Sequence, residues 1–208
     1  MPQAITRLMN HLGYYILPSL LLLRGRIKRK GDELILNYKG RELRFKYLSW
    51  APFPLNEVFV KEVYGSLEVR GKVVVDIGAS VGDTATYFAV KGAKHIYGFE
   101  VNPERWKVGK ENLKKNGIKN ATLYLSGFKQ SLVKQKANIL KVDCEGCEYS
   151  LFRELGSSLK KFEQIIVEYH NGSEVLEKKL LPLGFEIEFL TPKNAELGVL
   201  LARRQKRN

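Results

Sequence analysis

The chain alternates between short, wholly apolar runs and longer segments whose apolar positions recur every three or four residues. "KVVVDIG" has the composition of a strand buried on both faces of a parallel sheet, and "HIYGFE", "ATLYL", "NILKVD" and "QIIVEYH" follow it in order. "DTATYFAVKG" predicts a helix closed by Gly92. "NPERWKVGKENLKKNG" predicts another, with Asn102 as N-cap, Pro103 at the first helical position and Gly117 past the end. A polar helical segment is expected after "ATLYL", then helices over 148–155 and about 173–181. Two β-rich stretches, "GFEIEFL" and "LGVLLAR", finish the pattern. Strand–helix alternation of this length predicts a doubly wound α/β sheet.

Upstream, "ELILNYKGRELRFKYL" reads as two β-runs around a turn at Lys39-Gly40, a hairpin. "APFPL" (51–55) marks a boundary, and the spacing of Val58, Phe59 and Val63 predicts a helix from Asn56 to Tyr64. The expected organisation is an N-terminal extension (1–50) of helix plus hairpin, a main domain (51–203) and a basic tail (204–208). The run "YYILPSLLLL" (14–23) is half the length of a spanning helix, is interrupted by Pro18, and precedes its basic residues rather than following them. It reads as an amphipathic or docking helix. A helix lying in a membrane interface and a dimer contact are the alternatives.

Composition narrows the class. The 208 residues suffice for one sizeable core. Two cysteines and three scattered histidines, His11, His95 and His170, argue against a disulfide framework and a structural zinc, and fit a cytoplasmic protein. Abundant Lys and Glu beside little Met and Cys lean toward a thermophilic source. The net charge of +13 is concentrated at the ends: residues 1–50 carry ten basic against three acidic residues, and "RRQKR" adds four more positive charges. Basic ends suit nucleic acid or a membrane surface; the bland reading is a solvated cationic face.

In open α/β sheets ligands bind beyond the carboxyl ends of the strands. The first strand of the main domain ends in "DIGASVGD", which lacks the G-x-G-x-x-G spacing of dinucleotide sites and has an acid, Asp76, two residues before Gly78. A carboxylate there repels a pyrophosphate and suits a ligand bearing an ammonium and a sulfonium, as S-adenosylmethionine does. Glu100, ending the next strand, stands where a carboxylate accepts both ribose hydroxyls.

"VVVDIGASVGDTATYFA", "IYGFEVNPERW", "ENLKKN", "LKVDCEGCEYSLF" and "IIVEYH" together resemble the FkbM family of S-adenosylmethionine-dependent methyltransferases, over roughly residues 70–170. The resemblance implies a class I (Rossmann-like) methyltransferase fold, a seven-stranded sheet whose last strand is antiparallel. It also implies methylation of a hydroxyl oxygen on a small molecule or glycan. By motif it carries over Asp76, Gly78, Gly82, Glu100, Asp143, Glu145, Gly146, Glu148 and Glu168. Cys144 and Cys147 stand where the family has aliphatic or small residues, and the N-terminal 50 residues match nothing specific.

The cofactor-contact set is therefore Asp76, Gly78, Ala79, Gly82, Glu100, Val101, Ser126, Gly127 and Asp143, with Ser126 and Gly127 placed near the adenine by topology. Asp143, Glu145, Glu148 and His170 are the catalytic candidates. Asp143 is expected near the methyl group. Glu145 and Glu148 are expected to bind acceptor hydroxyls, to take the proton, or to hold a divalent cation with Asp143, although no metal is assigned. Their crowded charge predicts at least one raised pKa. Glu168 and His170 alternate along a strand and point one way, making His170 a candidate base. Asp83 reads as a helix N-cap. The cysteines read as small hydrophobes, since neighbouring carboxylates oppose thiolate chemistry. The competing functions are an RNA methyltransferase gripping phosphates with the basic N-terminal region and a non-catalytic binding protein of the same fold.

Overall fold

The computed structural model describes residues 26–192 and 195–204. The apolar run at 14–23 and the tail after Arg204 lie outside the described residues. Among the described residues no helix is long and apolar enough to cross a membrane.

Three strands come first, β1 (Ile27–Lys30), β2 (Glu33–Tyr38) and β3 (Arg41–Lys46), in an antiparallel sheet of that order. The hairpin is as expected, but the basic cluster before it is itself a strand: Ile27 is buried while its three neighbours face solvent. Leu34, Leu36, Leu43 and Phe45 alternate inward along β2 and β3 and share one core with the main sheet. Tyr38, Phe59 and Tyr87 meet there at ring-centre distances of 5.4 and 5.6 Å.

The helix expected from Asn56 to Tyr64 begins earlier and ends sooner. It is α1 (Pro52–Leu55), running on as a π-helical turn (Asn56–Val60). Proline at the first helical position costs no hydrogen bond, so "APFPL" starts this helix instead of preceding it.

The main sheet consists of β4 (Val73–Ile77), β5 (His95–Glu100), β6 (Ala121–Leu125), β7 (Ile139–Val142), β8 (Gln164–Tyr169), β9 (Phe185–Phe189) and β10 (Gly198–Arg204), ordered β6-β5-β4-β7-β8-β10-β9. Among the described strands of this sheet, β10 runs opposite to the other six. It includes Arg204, placed at the start of the tail by the sequence reading. The connecting helices are α2 (Asp83–Val90), α3 (Pro103–Lys115), α4 (Glu148–Leu155) and α5 (Glu174–Leu180). The polar segment after β6 is no helix beyond one 3-10 turn, Gln130–Leu132, because it has no apolar stripe to bury.

Strand order reverses between β4 and β7, which therefore set the ligand crevice. Strand parity then decides what faces it. Val74 of β4, Ile139 of β7 and Ile166 of β8 pack on the hairpin side of the sheet, and Val73, Val75, Leu140 and Val167 on the other. Asp76, Lys141 and Glu168 follow the first set two residues on, so three charged side chains lie under the hairpin-side layer, toward the carboxyl edge.

Candidate active site

The turn after β4 is shaped by glycine. Gly78 has φ +78°, and a Cβ there would overlap the carbonyl oxygen of Asp143. The ends of β4 and β7 thus touch, and Asp143 N donates to Ile77 O at 3.0 Å. Gly82, at φ +74°, is the N-cap of α2, so Asp83 is the first helical residue rather than the cap expected. Asp83 is buried, its Oδ1 has no hydrogen-bond partner among the described residues, and burial pushes its pKa up to about 6. Ala79 is fully buried, its N–H donating to Phe99 O.

Glu100 is fastened from both sides: Ser80 N donates to its Oε2 at 2.9 Å and Asn102 N to its Oε1 at 2.7 Å. A carboxylate has about four acceptor positions, so two remain for hydroxyls. Val101 and Leu125, 72% and 47% exposed, flank the same strand ends with apolar surface. Ser126 N donates to Glu100 O, with Gly127 beyond it. These fit a ribose and a flat ring.

Asp76 does not touch the crevice. It is 0% exposed; Thr84 Oγ1 donates to its Oδ2 at 2.5 Å, and Lys141 Nζ stands 3.0 Å from its Oδ1 in an ion pair without hydrogen-bond alignment. Lys141 is the residue that the sequence reading missed. An ammonium 1% exposed inside a parallel strand is costly unless paired, and the register puts it directly beside Asp76. It also donates to Gly78 O at 2.9 Å and lies 3.8 Å from Asp143 Oδ2. Burial alone would push its pKa down; Asp76 and Asp143 outweigh burial and hold it above the ordinary lysine value. Burial pushes Asp76 upward, with Lys141 and Thr84 pulling back. The signal was a lysine in "NILKVD", a strand with no exposed face.

Asp143 also accepts from the hydroxyl of Tyr64 at 3.2 Å. Burial and Asp143 keep that phenol neutral, well above its usual range. Glu168 lies beside them: burial first, then the charges of Asp143 and Glu57, push it up to about 7. Burial likewise raises Glu57.

The loop between β7 and α4 departs from the reading of its cysteines: Cys144 and Cys147 are joined by a disulfide across Glu145 and Gly146. Those two residues turn the chain at φ +55° and +109°, which brings the two ends together. The crowding of carboxylates raises neither Glu145 nor Glu148. His170 stands between them, Nε2 3.4 Å from Glu145 Oε2 and Nδ1 3.1 Å from Glu148 Oε1. The hydrogen bond to His170 lowers Glu145; His170 also lowers Glu148 against the effect of its burial. Glu145 and Glu148 in turn raise His170 to about 10. Glu148 is fully buried and accepts from Gly146 N and His170 N as well, so it braces the loop. Ligand atoms of Asp143, Glu168 and His170 lie within 4.8 Å of one another. A metal there would have to displace the proton that the two glutamates hold on the imidazole.

No family model matches the chain. Among solved structures, Methanocaldococcus jannaschii TYW2 in complex with AdoMet superposes with a TM-score of 0.55 at 17% identity, over 85% of this chain and 87% of that one. The Lactobacillus delbrueckii ribosomal protein L11 methylase does so with 0.55 at 20%, over 70% and 76%. "Uncharacterized protein 158B" of Sulfolobus islandicus rod-shaped virus 1 is 34% identical over 134 residues, 64% of this chain and 83% of its own length. The chain belongs to one family with protein 158B and has the fold of the class I methyltransferases. Within the class, the ribosomal protein L11 methyltransferase of Carboxydothermus hydrogenoformans is 32% identical over 142 residues, but the match spans only 45% of that longer enzyme. The class I fold accounts for the crevice at β4 and β7 and for the antiparallel β10.

Proposed function

We propose that this methyltransferase transfers the methyl group of S-adenosylmethionine to a hydroxyl oxygen, with Glu168 as the general base. The supporting observation is a carboxyl raised to about 7 beside Asp143 at the carboxyl edge of the sheet, the value wanted of a base at neutral pH. The FkbM-like K-V-D-x-E-G-x-E segment also favours oxygen as the acceptor atom.

When bound, the cofactor supplies a methyl group on a sulfonium, which needs no further activation. Glu100 would hold the ribose, the Gly78–Gly82 turn would admit the amino-acid end, and Val101, Leu125, Ser126 and Gly127 would surround the base. Asp83, buried with an unpartnered oxygen, adds the negative field that a cationic ligand prefers. The acceptor hydroxyl would be aligned by Asp143, itself fixed by Tyr64 and Lys141, and would give its proton to Glu168. His170, held as an imidazolium, does not serve as that base; with Glu145 it orders the acceptor loop.

The test is transfer of labelled methyl from S-adenosylmethionine to a panel of sugars, polyols and RNA, followed across pH. Transfer should rise through about pH 7 and level off, because the base acts deprotonated, and Glu168→Gln should lower it 10²–10⁴-fold. An unchanged rate in Glu168→Gln would remove Glu168 from the reaction.

A further inference from the structure

We infer that the outer face of α3 is a docking track for the phosphate backbone of RNA, delivering a ribose hydroxyl to the site. The choice of hydroxyl as acceptor rests on the methyl-transfer reading above; the track itself does not.

Beside the hairpin, Arg44 pairs with Glu33 at 3.1 Å and Glu42 at 2.7 Å, Lys115 with Glu33 at 2.5 Å, and Lys46 with Glu111 at 3.7 Å, while Lys28 and Lys30 of β1 are exposed without a carboxylate partner among the described residues and line no groove. Along the outer face of α3, Lys107, Lys110 and Lys114 are spaced by three and four, which makes one stripe. Lys119 follows in the next loop. All four are exposed, and no carboxylate pairs with them among the described residues. Glu104 sits in the first turn, where it complements the helix dipole.

The stripe has shape as well as charge. Between α3 and the edge strand β6 runs a groove of about 510 Å³, lined by Lys110, Leu113, Lys114, Ile118, Lys119 and Leu123. It lies along the flank of the sheet, away from the carboxyl edge. A one-dimensional line of charge beside a concave groove suits a strand better than a flat bilayer. Lys110 Nζ lies 4.4 Å from the ring centre of Trp106, so an aromatic body underlies the cations.

The track also leads to the chemistry. Helix α3 is about 20 Å long and starts three residues after Glu100. Arg105, in its first turn, lies over Trp50 and is close enough for its charge to lower Glu145 on the acceptor loop. A line of cations thus runs from Lys119 up to the rim of a site that takes a hydroxyl. RNA offers phosphates and a 2′-hydroxyl in one molecule; DNA offers only the phosphates.

The experiment measures binding of a fluorescently labelled, mixed-sequence 20-nucleotide RNA to the full chain between 50 and 300 mM salt. Four phosphate contacts predict a log–log salt slope of about −3. Lys110→Glu with Lys114→Glu should weaken binding at least tenfold and reduce the slope by about 1.4. Lys28→Glu with Lys30→Glu on the hairpin should change it less than threefold. Calorimetry with S-adenosylhomocysteine should be unchanged in both variants, which also shows that they fold. Labelled methyl should enter the RNA and not the DNA of the same sequence. No RNA binding, equal losses in the two variants, or binding to acidic phospholipid vesicles in place of RNA would overturn the track. RNA binding without any cofactor binding would leave the track standing and sink the methyl-transfer reading. Equal labelling of RNA and DNA would overturn the ribose hydroxyl.

Discussion

At the scale of single residues, the site is a set of contacts in which one atom changes the outcome. Gly78 is the tightest. Gly78→Ala would place a Cβ on the Asp143 carbonyl at a positive φ, so we expect a severely destabilised protein, measured as a large fall in Tm, and no cofactor binding in whatever remains folded. The places of Glu100, Gly78 and Asp143 at the carboxyl edge of the sheet were legible in the sequence because each ends or directly follows a short apolar strand. Lys141 was not, since nothing in a linear pattern shows that two neighbouring strands place an ammonium beside Asp76. The charge held on His170 was not legible for a related reason. Its pKa depends on Glu145 and Glu148, which approach it only once the loop after β7 has turned.

Lys141, at the scale of elements, ties β4 to β7. Its side chain holds Asp76 and Asp143 together and donates to the turn carrying Gly78. Lys141→Met leaves Asp76 buried without its cation, at a cost of about 3–5 kcal/mol. For a chain of this size that is a fall in Tm of about 10 °C, measurable by calorimetry, with cofactor affinity reduced through the displaced turn. The loop after β7 is tied differently, by the disulfide and by His170. A histidine raised from 6.5 to about 10 stabilises the folded state fully below pH 6.5, and the benefit is lost as pH rises through 10. The lowered glutamates act in the opposite sense: their contribution is present above pH 4.5 and lost as pH falls below it. The triad is thus at full strength from about pH 4.5 to 6.5. Thermal melting across pH should show His170→Gln costing most in that window, about 1.5–3 kcal/mol, and little at pH 10.5.

For the whole molecule, the alternation of strands and helices was enough to give the main sheet, because a parallel strand buried on both faces cannot be disguised. What the linear pattern missed was the joining of parts. The hairpin reads as a separate extension, yet Leu34, Leu43 and Phe45 share a core with β4 and β7. The basic cluster before it reads as a loose charge run, yet Ile27 makes it a strand. The net charge of +13 is concentrated at the chain ends, yet one stripe of exposed lysines without a carboxylate partner among the described residues also runs along α3. Each difference arises from which surface faces which, information that appears only when the layers stack.

The central claim is that the turn after β4 and Glu100 form an S-adenosylmethionine site. Calorimetric titration of the purified protein with S-adenosylmethionine and S-adenosylhomocysteine, beside Glu100→Ala, tests it most directly. Micromolar binding that the substitution weakens at least tenfold, about 1.4 kcal/mol, is the result expected. Folded protein that gives no saturable heat with either ligand would contradict the account.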